Sequence, residues 1–140
     1  MKRILILFLV PFVFFSCIHS NTRPKNESLK DSWYRYWSYK KEGNFKKAFH
    51  YENMSLLPNA SPQRYIGSVA GTVIKEFEFI KIGKQGSGPH GSTPIEMRLV
   101  TPSSPPMLRI KGDWDRVIND YWIKKEGRWY HLRAGIVQYH

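Results

Sequence analysis

Asp120 and His131 carry the side chains best suited to proton transfer in this 140-residue chain. They flank Glu126-Gly127, a dipeptide that favours a tight turn, so a hairpin there would set a carboxylate and an imidazole on facing arms. Glu76 and Glu78, two residues apart, would share one face of a strand. They read either as an acid/base pair or as a solvated outer face opposite Phe77 and Phe79. The histidines are His19, His50, His90, His131 and His140; none sits in a HExxH or Cys/His spacing, so no metal or cofactor is expected. No nucleophile elbow or Walker motif occurs, and Gly86-Ser87-Gly88 opens no helix that would cradle a phosphate. No residue is therefore assigned a catalytic role, and a hydrogen-bonded or surface His131 is the plainer reading. The remaining candidates are aromatic. Trp33, Trp37, Phe77, Trp122 and Trp129, with His131, either line a pocket for an apolar or ring-shaped ligand or fill the core of a small domain.

These side chains need elements to hold them. Leu29, Trp33, Tyr36, Trp37 and Lys40 follow the rhythm of one helix face, beginning near Ser28 and ending near Gly43. Asn44 is placed to cap a short helix carrying Phe45, Ala48 and Phe49, and Ser61-Pro62 to start a third with Tyr65, Ile66 and Val69. Beyond Gly71 the period becomes two. Val73 to Ile82 predicts a strand whose alternation slips near Ile80, as a bulge would make it do. Residues 83–94, rich in glycine and proline, predict a mobile loop. Ile95 to Val100 predicts a strand with Ile95, Met97 and Leu99 inward; Thr101 to Pro106 predicts a rigid turn, and Met107 to Ile110 a short strand. Asp113 to Ile123 fits a helix face through Trp114, Val117, Ile118, Tyr121 and Trp122. The hairpin signal that follows at Glu126-Gly127 favours a long strand from about 114 to 125.

The N-terminus carries the strongest single signal. Lys2 and Arg3 precede an apolar run from Ile4 to Phe15, broken only by Pro11. At about twelve residues the run is too short for a bilayer core, which takes roughly twenty, and it suits an export signal. Ser16 and then Cys17, the only cysteine, follow it. This layout resembles the lipobox of bacterial lipoproteins, with Phe14 and Phe15 standing where the family usually has leucine and a small residue. The resemblance implies cleavage after residue 16, a diacylglycerol on Cys17, and a flexible tether over 17–28. Ile18, rather than aspartate, after the cysteine implies the periplasmic face of the outer membrane in a two-membrane bacterium, and otherwise a cell-envelope lipoprotein anchored at Cys17. Removing Lys2 and Arg3 from the formal +11 leaves +9, a charge suited to anionic lipid or acidic glycan. Nucleic acid is not expected as the partner of an exported chain. Residues 29–140 suffice for one domain without disulfides, and the sequence does not disclose its oligomeric state.

Trp37, Gly43, Phe45, Ala48 and Phe49 near the start, with Trp122, Gly127, Trp129, Tyr130 and His131 near the end, form a layout similar to NTF2-like domains of the cystatin-like fold. The resemblance implies an α+β architecture: N-terminal helices packed on a curved antiparallel sheet that forms a cone. Such domains include enzymes, binding modules and assembly subunits, so fold alone does not name the activity. The expected function is a lipid-anchored, non-catalytic binding or assembly domain of the cell envelope, docking a protein partner or an acidic or apolar ligand. The alternatives are an enzyme using Asp120, His131 or the Glu76/Glu78 pair, and a structural protein contacting acidic glycan or lipid.

Overall fold

The computed structural model describes residues 23–103 and 112–133. The segment read as an export signal, Cys17, and the strand expected over Met107 to Ile110 lie outside them.

The chain folds as α+β. Helix α1 (Leu29–Lys41) starts where the Ser28 hydroxyl accepts the backbone N–H of Asp31, at 3.1 Å. Asp31 in its first turn, and Lys40 and Lys41 in its last, oppose the helix dipole. Gly43, at φ 72°, turns the chain into α2 (Phe45–Phe49), capped by Asn44. A 3₁₀ turn (Asn53–Leu56) leads to α3 (Pro62–Val69), capped by Ser61 with Pro62 at its first position. Four strands follow: β1 (Glu76–Ile82), β2 (Thr93–Pro102), β3 (Asp113–Lys125) and β4 (Arg128–Leu132). They form one antiparallel sheet in the order β1-β2-β3-β4.

The register sorts the side chains. Phe77 faces Leu99 and Phe79 faces Met97; the pairing then shifts between Phe79 and Lys81, the bulge that the misplaced Ile80 anticipated. Ile95, Met97 and Leu99 point into the core and are at most 5% exposed. Glu76 and Glu78 point outward toward the Arg98 guanidinium, at 3.7 and 3.9 Å. β2 begins two residues earlier than the alternation suggested and includes Thr101 and Pro102, residues expected in a stiff turn; residues 104–106 of that expected turn lie outside the described residues. The helical rhythm of 113–123 is overridden. β3 pairs with β2 along Asp113–Trp122 and with β4 along Tyr121–Lys125, and these ladders, not local periodicity, decide its state.

The β3–β4 turn has Glu126 at φ 49° and Gly127 at φ 78°, the doubly left-handed geometry of a type I′ hairpin. Trp122 faces His131 and Trp129 faces Lys124. Gly86, at φ 77°, has the same backbone demand, so its loop is not indifferent to substitution. Gly127→Val and Gly86→Val are each expected to cost about 1–2 kcal/mol. Gly67→Ala, inside α3 with nothing within 4 Å of the added carbon, is expected to gain up to ~1 kcal/mol. Chemical denaturation of the three variants checks the signs; a neutral Gly127→Val would speak against the I′ turn.

The segment before α1 is docked, not a tether. The Arg23 guanidinium lies over the Tyr51 ring at 3.9 Å and the Tyr130 ring at 4.9 Å. It donates to the carbonyls of His50 and Trp129 and sits 3.6 Å from the Glu27 carboxylate. Glu27, itself buried, accepts from Ser32 and pairs with Arg35 at 2.6 Å. The flexible tether expected over 17–28 is corrected for residues 23–28, because a cation held by two rings, two carbonyls and a carboxylate has little freedom.

Candidate functional site

α1, the 50–53 connection, β3 and β4 converge on His131. The backbone N–H of His131 donates to the Tyr51 carbonyl at 2.7 Å, which brings the following residue, Glu52, alongside. From α1, Tyr36 stacks on the imidazole with centroids 4.6 Å apart, and Trp37 and Trp122 meet it edge-on. Asp120 and Trp122 share the inner face of β3, two residues apart, as the strand period requires.

Every polar atom of the three charged groups finds a partner. His131 Nε2 lies 2.8 Å from Asp120 Oδ1, and Nδ1 lies 3.1 Å from Glu52 Oε2. Asp120 Oδ2 accepts from the indole N–H of both Trp37 and Trp122, each at 2.8 Å. Glu52 Oε1 accepts from the Tyr36 hydroxyl at 2.6 Å. Residue exposures are 1% for Glu52, 5% for Asp120 and 8% for His131, so these charges are withdrawn from water. The Lys40 ammonium lies 4.7 Å from the Trp37 ring, and its charge helps to balance the two carboxylates.

Burial alone would lower the His131 pKa. The charges of Asp120 and Glu52 and their hydrogen bonds outweigh it and raise the value to about 9. Glu52 is the converse case: burial would raise its pKa, but the His131 charge, the bonds from His131 and Tyr36, and Lys40 hold it below the ordinary value. Lys40 is lowered, chiefly by burial. An imidazolium donating from both nitrogens is the state this geometry favours.

The arrangement limits its own chemistry. A general base needs an unshared nitrogen facing substrate, and both nitrogens of His131 are occupied. The two carboxylates approach opposite edges of the ring and so do not converge on one point. Among the described residues no group of His, Cys, Asp or Glu is placed to hold a metal ion.

The residues proposed to line a pocket are found mostly as core. Trp33, Trp37 and Trp122 are at most 5% exposed. Trp33 packs edge-on against Phe77 and Phe79 at 5.5 and 5.6 Å, and Tyr36 against Trp122 at 5.6 Å, spacings that leave no room for a ligand between the rings. Trp129 is only half-buried, beneath the Lys124 ammonium at 5.7 Å. Phe77 borders an open recess, of about 310 Å³, shared with Lys41, Glu76, Glu78, Arg98 and Val100. Glu76 and Glu78 are far apart from His131 in role: they face solvent and serve the outer charge ladder that Arg98 completes with Asp115.

Two participants were not legible in the sequence. Glu52 stands in a connection where a carboxylate is ordinarily solvated, and only the pairing of Tyr51 with His131 draws it inward. Lys40 was legible as part of the buried helix face but not as a counter-charge. Comparison of the chain with protein-family models, with curated proteins and with solved structures finds no match.

Proposed function

We propose that this chain is a lipid-anchored, non-catalytic binding or assembly module of the cell envelope, built on an NTF2-like domain. The observation that carries the reading is the contrast between a sealed interior and an apolar exterior. His131 is paired on both nitrogens and covered by rings. Trp114 and Val117 of β3, by contrast, are 56% and 58% exposed. They lie on opposite faces of β3, Val117 on the side of Asp115 and Trp114 on the side of Asp120, and each leaves a large apolar side chain uncovered, as docking surfaces do. The lone Cys17 behind an apolar N-terminal run supports the anchor, and the helices packed on a four-stranded antiparallel sheet support the NTF2-like assignment. The acid/base reading draws support from Asp120 lying within hydrogen-bond distance of His131. It lacks an unshared nitrogen and is the weaker of the two.

Two measurements test this function. Cys17→Ser is expected to shift the protein from the membrane to the soluble fraction without changing its melting temperature. A variant that fractionates like wild type overturns the anchor. Trp114→Ser combined with Val117→Ser should change stability by no more than roughly 0.5 kcal/mol, as exposed sites do, while reproducing the phenotype of deletion. A phenotype untouched by that pair but lost in His131→Asn at matched folded protein would return the acid/base reading to first place.

A further inference from the structure

We propose that the tip of the β3–β4 hairpin is a membrane-facing surface that binds anionic lipid headgroups. The proposal deepens the anchored reading above and rests on it for its setting. Its first support is where the N-terminal segment is held. Arg23 is fixed against Trp129 and Tyr130, on the strand that leaves the hairpin tip. Asn26 lies beside Gly127, its Oδ1 3.9 Å from where a side-chain carbon would stand on that glycine. Cys17 is six residues before Arg23, and six residues reach at most about 20 Å when fully extended. An acyl chain on Cys17 would therefore hold this end of the domain close to the bilayer.

The second support is the chemistry of that end. Lys25, Lys124, Lys125 and Arg128 gather around the turn, with Glu126 as the single carboxylate at the tip. Among the described residues none of these four cations is within ion-pair distance of a carboxylate. Lys25, Asn26, Glu126, Gly127 and Arg128 enclose a recess of about 350 Å³, open to solvent and wide enough for a phosphate group. Elsewhere some cations are engaged, Arg98 with Asp115, Lys81 with Glu96, Lys75 with Asp113 and Arg35 with Glu27, while others such as Lys46, Arg64 and Lys84 have no carboxylate partner among the described residues. The hairpin tip differs from these in gathering four such cations around one recess, at the end the anchor would bring to the lipid. Clustered cations near an anionic leaflet attract it, and the attraction fades within a Debye length.

The test uses residues 18–140, which retain every described element and carry no acyl group. Co-sedimentation is measured with vesicles of phosphatidylcholine alone and with about 30% phosphatidylglycerol, roughly the anionic content of a charged leaflet. Binding is expected only to the anionic vesicles and is expected to disappear near 0.5 M salt, where the Debye length is about 4 Å. The variant Lys25→Gln/Lys124→Gln/Lys125→Gln/Arg128→Gln should bind at least about tenfold more weakly. The variant Lys46→Gln/Arg64→Gln/Lys84→Gln, which removes exposed cations elsewhere, should lose less than about threefold. Equal losses in the two variants would show that only net charge matters and overturn the assignment, as would absence of binding. Because no lipid on Cys17 is needed, this experiment can fail while fractionation of Cys17→Ser upholds the anchor, and the reverse.

Discussion

Asp120→Ala is expected to destabilise the domain by about 3–5 kcal/mol, the usual range when one partner of a buried ion pair is removed. The reason is the number of donors left behind. One carboxylate accepts from His131, Trp37 and Trp122, and all three are in the core. Alanine strands two indole N–H groups and leaves the imidazolium with Glu52 alone. Asp120→Asn keeps an oxygen for the indoles but turns an amide N–H toward His131, which must then give up its proton at Nε2. Its loss should be smaller and should grow as pH falls. Urea unfolding at pH 6 measures both. A loss under about 1 kcal/mol in the alanine variant would mean that the network is not formed as described.

The second large effect is on pH. His131 has an ordinary pKa of 6.5 and a folded value of about 9. The fold therefore binds this proton more tightly than the unfolded chain does. The resulting stability, on the order of 3 kcal/mol, is fully present below pH 6.5 and is lost as pH rises toward about 9. Glu52 is held below its ordinary 4.5, so its contribution is present above pH 4.5 and is lost as pH falls through the lowered folded value. Together they place maximal stability between about pH 4.5 and 6.5. Lys40, lowered by burial, works in the opposite sense at alkaline pH and softens the decline. In Glu52→Gln one of the two carboxylates supporting the imidazolium is gone, so the alkaline decline should move to lower pH. A melting temperature that stays level from pH 6.5 to 9 in the wild type would contradict a charged His131.

The local part of this structure was legible in the sequence. Asn44 and Ser61 cap the helices they were expected to cap, the first helix starts beside Ser28, and Ile80 marks the bulge. These features depend on neighbours a few residues away, which a linear reading can see. Asp113 to Ile123 was ambiguous because its apolar spacing fits a helix; the turn at Glu126-Gly127, outside that stretch, tips it to strand. The candidate site was half legible. Asp120 and His131 could be placed on facing arms from the hairpin alone, but Glu52 arrives through a bridge 79 residues from His131. For the tryptophans the sequence left pocket and core both open, and Trp33, Trp37 and Trp122 are buried. Whether four indoles line a cavity or fill it depends on how closely α1 approaches the sheet, and spacing along the chain carries no such distance. Arg23 escaped notice because a lone arginine in a polar stretch resembles a solvated one until Tyr51 and Tyr130 are seen to enclose it.

The Arg23 clasp also bears on the order in which the chain can fold. The sheet joins each strand to the next in sequence, so its hairpins close short loops. Arg23, by contrast, meets the Trp129 carbonyl across 106 positions, and Trp37 meets Asp120 across 83. Closing a loop of about 100 residues costs roughly 2 kcal/mol more than closing one of about ten, so these unions form after the meander supplies a rigid partner. A chain is made from its first residue onward, and β4 comes near the end. Until β4 exists Arg23 has only its earlier partners, the His50 carbonyl, the Tyr51 ring and Glu27, and the Trp129 carbonyl and Tyr130 ring complete the clasp last.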